Sequence, residues 1–317
     1  MHLATRVIRA TLAFIWIFMS GCAALAADCK PMIDKFNQAI DSGLESAAQL
    51  EVDVIATSAE CGNFQVPVQR RLAGLRLASA QGLMARGRPL AEFDRLLVAA
   101  EKTEVLWQAS ATLGEVRFGE RRFTDAAQAY DRAIEIVKNE TLTPVAPEKF
   151  EIEGLFMRAA EARLLAANIP APDGQTSFVK TARNLRDGTI GGIYSRSVRG
   201  ITPQVIPIPV TFEYAKTSFT SIGEQAAQEL AAALKEQRLG RLRLVGHTDI
   251  RGSEETNLKL SVARAEAVAS YLKQAGIDAH IEVSGVGASE PLQVIDSSGL
   301  SQEDIFALNR RVEFFRE

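Results

Sequence analysis

Leu242-Arg243-Leu244-Val245-Gly246-His247-Thr248-Asp249-Ile250-Arg251-Gly252-Ser253-Glu254-Glu255 reads as a strand that runs through a polar loop into a helix. Leu242, Leu244 and Val245 supply the strand. Ser253 supplies an N-cap, and Glu254 and Glu255 fill the first turn, where the helix dipole favours anions. Open α/β sheets present ligand groups beyond the carboxyl ends of their strands, which makes Asp249 a candidate binding residue. The helix, predicted to Gln274 and ended by Gly276, has an apolar face of Leu258, Val262, Ala265, Ala269 and Leu272. Asn257, Ser261 and Arg264 form a flanking stripe at spacings of four and three that leads back to the loop. A guanidinium there can grip a carboxylate with two parallel hydrogen bonds while Asp249 accepts from an ammonium; without a ligand the two side chains can pair with each other.

Outward from this junction the pattern alternates strand and helix. The stretch ending Thr211-Phe212-Glu213-Tyr214 reads as a strand, and Ser221 caps a helix to about Arg238. Further strands are expected at His280–Ser284 and Arg311–Phe315. Strands and helices alternating over some 110 residues imply a two-layer α/β sandwich. Residues 30–168 read instead as helical almost throughout, so the fold class expected is α+β with two domains. Within them, Gly74–Ala99 laid under Gln108–Ala133 gives a period of 34, which places Ala80 on Gly114 and Leu96 on Tyr130. Leu113-Gly114, Phe123, Ala126, Tyr130 and Ala133 look like one tetratricopeptide repeat, in which small residues let paired helices approach; the first unit is degenerate. Phe150–Ala167 is a further helix that can cap the stack. Pro170-Ala171-Pro172-Asp173-Gly174 and Gly188, Gly191, Gly192 and Gly200 mark a connector, and Ile201–Pro209 is read as a semi-rigid spacer or an edge strand.

At the amino end, Arg6 and Arg9 precede an uncharged run from Ala10 to Ala27, a secretory signal pattern. Three readings of it stay open: cleavage after Ala26, a lipoprotein-type box that lipidates Cys22, or a retained anchor spanning a thin bilayer. Loss or lipidation of Cys22 leaves Cys29 and Cys61, which an oxidising compartment would join. Removing Arg6 and Arg9 takes the net charge from −3 to −5 with no basic block, which excludes nucleic acid as a partner class. With 47% hydrophobic residues the chain can bury ordinary cores. His247 and Asp249 lack further metal ligands nearby, and no nucleophile–base pair stands out, so neither catalysis nor a cofactor is expected. Ser177-Phe178-Val179-Lys180 matches the S-x-x-K of penicillin-binding enzymes, but its candidate partner Lys216-Thr217-Ser218 lies too close in sequence.

Residues 205–317 resemble the OmpA C-terminal-like peptidoglycan-binding domain shared by outer-membrane proteins, the peptidoglycan-associated lipoprotein and motility stators. An ordered series carries the resemblance: Phe212 through Ser218, Gly246-His247-Thr248-Asp249, Arg251-Gly252-Ser253, Asn257, Leu260-Ser261, Arg264-Ala265, Gly276-Ile277, Gly285-Val286-Gly287, Pro291 and Asn309-Arg310-Arg311-Val312-Glu313. It implies a βαβαβ-β sandwich that binds the diaminopimelate of the peptidoglycan stem peptide, with Asp249 taking the ammonium and Arg264 the carboxylate. Thr248, Asn257, Asn309, Arg310 and Arg311 would shape the pocket, only one of the two adjacent arginines facing it. The organisation expected is a signal peptide at 1–26, a helical domain at 27–168, a linker at 169–204 and the binding domain at 205–317. The function expected is a non-enzymatic tether in the periplasm, associated with the outer membrane or cell wall. Its helical repeats would hold an envelope protein, and membrane association would come only through a lipid or that partner. The alternative is an inner-membrane stator or assembly component that keeps its amino-terminal helix.

Overall fold

The computed structural model describes residues 29–170, 174, 176–183, 188–213 and 215–316. The signal segment, its cleavage readings and Cys22 fall outside the described residues. Two compact units divide the chain at Leu75 and Arg76. In the first, α1 (Lys30–Asp41), α2 (Glu45–Thr57) and the start of α3 (Gly62–Ala85) enclose Phe36, Val52, Ile55 and Leu72. A Cys29–Cys61 disulfide, the pairing expected, closes this unit. Restricting a loop of that length in the unfolded chain contributes about 3–4 kcal/mol.

In the second unit the helical part continues as α4 (Leu90–Glu101), α5 (Trp107–Gly119), α6 (Phe123–Lys138) and α7 (Lys149–Asn168). The α5–α6 pair meets as the repeat pattern requires: a Cβ on Gly114 would lie 2.7 Å from the Tyr130 ring, so only glycine admits that contact. Helix α7 departs from the expected cap. It is buried on nearly every side, packed between α6 and the first strand of the sandwich, with Arg163 paired to Asp131 in its interior. An Ala- and Leu-rich helix without a broad polar face has no side to offer to water.

The sandwich comprises β1 (Val205–Ile208), α8 (Ser221–Gln237), β2 (Arg241–Gly246), α9 (Glu254–Gln274), β3 (His280–Gly285), α10 (Gln302–Asn309) and β4 (Val312–Arg316). The sheet order is β1-β4-β2-β3, with β2 and β3 parallel and the other pairs antiparallel. A parallel pair needs a crossover, and α9 provides it. Among the described residues the strand expected at Thr211–Tyr214 does not form, and of the two readings of Ile201–Pro209 the edge strand is the one the structure adopts. The Pro-spaced segment forms β1, with Pro207 opposite Glu313, while Phe212 makes only an isolated bridge to Phe219. An edge strand tolerates Pro207 because its missing N–H can lie on the unpaired side. Thr220, not Ser221, caps α8, its hydroxyl accepting from the Gly223 amide. From the stretch read as a connector, Val179, Ile193, Tyr194 and Val198 join one apolar cluster with α6, α7, α8 and the sheet. Among the described residues no helix is long and apolar enough to cross a membrane.

Candidate functional site

Two glycines assemble the site. Gly246 and Gly285 end the parallel strands opposite each other. A Cβ on Gly246 would come within 2.0 Å of the Ser261 carbonyl, and one on Gly285 within 2.3 Å of the Ser261 hydroxyl. Their absence lets α9 press its polar stripe against the strand ends. Ser261 accepts there from the Gly287 amide at 3.0 Å and donates to the Leu258 carbonyl at 2.8 Å. Asn257, Ser261 and Arg264 are therefore buried with Ala265, Val268, Ala269 and Leu272, whereas Leu258 is 47% exposed. This corrects the apolar face read from periodicity, because a close backbone approach buries whichever stripe faces it.

Asp249 is buried just beyond β2. Its Oδ1 accepts from the Arg251 amide at 3.0 Å, and its Oδ2 from Arg251 Nη2 at 2.6 Å, Arg251 Nε at 3.2 Å and Arg310 Nη1 at 2.9 Å. Burial opposes ionisation of this carboxyl, but the two arginines and the amide outweigh it and hold it below the usual carboxylate range. Asn257 donates to the Asp249 carbonyl at 3.2 Å and fixes the loop from below. Thr248 holds the Gly287 carbonyl through its amide, and its buried hydroxyl has no hydrogen-bond partner among the described residues.

Arg264 presents the opposite situation. Only 7% exposed, it makes one long hydrogen bond, 3.4 Å to the Lys216 carbonyl, and lies 5.0 Å from the Phe212 ring centroid. No carboxylate among the described residues pairs with it. Burial, then the like charge of Arg310, push its pKa down, and Asp249 only partly opposes them. The ligand-free pairing of Asp249 with Arg264 is not what forms; Asp249 pairs with Arg251 and Arg310, and the Arg264 guanidinium is left without an ionic partner among the described residues.

The Asn309-Arg310-Arg311 segment divides. Arg310 reaches Asp249 and, at 3.2 Å, Glu303. Arg311 is buried against Glu313, with Nε 2.8 Å and Nη2 2.7 Å from its Oε1, in a cluster where His247 Nε2 lies 3.3 Å from Glu313. Asn309 is spent on the Leu292 amide and the Ile305 carbonyl. Of the seven expected pocket residues, the structure brings Asp249 and Arg310 into contact, buries Asn257, Thr248 and Arg264 beside the same loop and strand ends, and engages Asn309 and Arg311 elsewhere. Sequence reasoning missed Phe212, which backs Arg264, the salt-bridging role of Arg251, and Glu303. The Ser301-x-x-Asp304 capping box that announces α10, and with it Glu303, was present to be read. Among the described residues no group of three or more His, Cys, Asp or Glu could hold a metal ion.

Residues 211–307 match the model of the OmpA family, and the chain carries an OmpA family domain there. The chain is 38% identical over 113 residues to outer membrane protein A of Serratia odorifera, across 33% of this chain and 46% of that protein. It is 35% identical over 107 residues to a peptidoglycan-associated lipoprotein of Legionella pneumophila, across 33% of this chain and 58% of the relative. Among solved structures it is similar to the peptidoglycan-associated lipoprotein of Burkholderia pseudomallei, at 28% identity and TM-score 0.30, covering 36% of this chain and 91% of that one. The chain spans about half the length of the curated relatives it matches.

Proposed function

We propose that this protein is a non-enzymatic tether of the Gram-negative envelope whose OmpA family domain docks on peptidoglycan by binding the free end of diaminopimelate in the stem peptide, while its helical repeats hold an envelope protein. One observation carries the reading: Arg264 is a buried guanidinium with no anion among the described residues to neutralise it. Burying an unpaired charge is expensive, and a site that maintains one is suited to an incoming carboxylate. Asp249, ionised beside it, is the acceptor for the ligand's ammonium. Arg310 contacts Asp249, the adjacent Thr248 has a buried hydroxyl with no partner among the described residues, and Asn257 positions the loop. Arg311 and Asn309 act one step back, by holding the strand entry and the loop at Leu292. The names of the relatives, outer membrane protein A and peptidoglycan-associated lipoprotein, agree with this assignment.

Sedimentation with diaminopimelate-containing peptidoglycan tests it. Wild-type protein is expected in the pellet, with Asp249→Ala and Arg264→Ala in the supernatant. Co-sedimentation of both variants at the wild-type level would show that the two residues are not the anchors.

A further inference from the structure

Asp249 Oδ2 cannot receive an ammonium as it stands. It already accepts from three donors, one more than the two lone pairs of a carboxylate oxygen, while Oδ1 accepts from one backbone amide. An ammonium that bonds Oδ2 has to displace a donor. Arg251 is the poorer candidate: it makes three of the four bonds, its Nη1 also lies 3.3 Å from Glu303 Oε2, and its guanidinium lies 4.7 Å from the Phe306 ring centroid. Arg310 makes a single bond to Asp249, and both of its terminal nitrogens are already 3.2 Å from Glu303 Oε1.

We propose that Glu303 takes over Arg310 when an ammonium enters at Asp249, and so sets the site's preference for ligands that carry an ammonium over those that carry carboxylates alone. The inference rests on the reading of Asp249 and Arg264 as the two anchors. Without Glu303, the released guanidinium would stand unpaired near both Arg264 and the arriving ammonium, and like charges would oppose binding. With it, Nη1 transfers wholly to a carboxylate it already touches. Glu303 itself is held in place. It sits in the first turn of α10, whose capping box joins Ser301 to Asp304, and Asp304 is gripped by both terminal nitrogens of Arg121 from the α5–α6 turn, at 2.7 and 2.9 Å. The turn that carries Glu303 is therefore fixed while the arginine moves between the two carboxylates.

The test is an NMR titration of the purified protein and its Glu303→Gln and Glu303→Asp variants with meso-diaminopimelate and, separately, with pimelate, which keeps the carboxylates and lacks the amines. A crystal structure of the wild type with diaminopimelate accompanies it. Glu303→Gln is expected to weaken diaminopimelate up to about fivefold, the worth of an exposed ion pair, without weakening pimelate, and Glu303→Asp to retain the preference. In the complex Arg310 should contact Glu303 and no longer Asp249. Equal losses for both ligands, an unchanged diaminopimelate affinity, or a complex that keeps the Arg310–Asp249 bond would each overturn the exchange while leaving the anchors intact. A wild type that binds neither compound would instead overturn the anchor assignment, and the exchange with it.

Discussion

Replacing Arg264 with Met should stabilise the ligand-free protein while abolishing its binding. Methionine keeps the length and apolar contacts of the arginine stem and removes a cation that is 7% exposed and has no carboxylate partner among the described residues. Replacement of buried ionic groups by packed apolar side chains is commonly neutral to stabilising by about 1–4 kcal/mol. Two losses offset part of that. The stacking on Phe212 at 5.0 Å is worth about 0.5–2 kcal/mol, and the 3.4 Å bond to the Lys216 carbonyl no more than about 0.5 kcal/mol at that length. A net gain of about 1 kcal/mol follows, which at a urea m-value of about 2–3 kcal/mol/M raises the denaturation midpoint by about 0.3–0.5 M. The informative control is Arg310→Met. It strips Asp249 and Glu303 of a shared partner and should lower the midpoint. If Arg264→Met lowers it as much as Arg310→Met does, the guanidinium is satisfied without a ligand and the argument from its vacancy collapses.

Three further outcomes follow from the same geometry. Gly246→Ala should cost about 3 kcal/mol, because its Cβ meets the backbone of α9 at Ser261, which cannot swing aside as a side-chain tip could; circular dichroism melting would register it, and a melt matching the wild type would contradict the close approach. Arg121→Ala should cost about 1–2 kcal/mol at neutral pH, since it strands the buried Asp304 carboxylate; Arg121 is itself 43% exposed, which lowers the figure from that of a fully buried pair. Although burial pushes the Asp304 pKa upward, Arg121 and Ser301 hold it below the ordinary carboxylate value. The folded state thus binds this proton less readily than the unfolded chain, and the contribution of Asp304 is complete above an unfolded pKa of about 3.9 and lost as pH falls through the lower folded value. Wild type and Arg121→Ala should accordingly converge in stability as pH falls through the lowered folded value of Asp304, and a gap that persisted once this carboxyl is protonated would assign the loss to something else. Reduction of Cys29–Cys61 should destabilise the first unit by about 3–4 kcal/mol, read as hydrogen exchange that accelerates in α1 and α2 while the sandwich amides stay protected.

Much of the architecture was legible because its signals are local. Ser253 with Glu254 and Glu255 fixed the start of α9, Gly276 its end, and the alternation around Leu242 and Leu244 the central strand. The cysteine count together with the export signal identified the Cys29–Cys61 pair. Two elements were not settled by the sequence for a physical reason. β1 is short and carries a proline, which left Ile201–Pro209 open between a spacer and an edge strand until pairing with β4 decided it. α10 spans only eight residues, too few for a periodic pattern, and only its capping box betrays it.

By itself the sequence determined which residue types meet at the site: a loop carboxylate after a strand, an arginine fifteen residues on, and a basic pair before the last strand. Which of them are engaged and which left vacant was a tertiary decision. Asp249 is filled by Arg251 and Arg310, Arg264 is stranded behind Phe212, and Arg311 is drawn to Glu313. The reason is that spacing along a chain ranks neighbours on one element only. Whether a charge is paired depends on groups that folding brings from elsewhere, here α10 and the turn before α8, and on two glycines that let a helix come close enough to bury a cation without its anion.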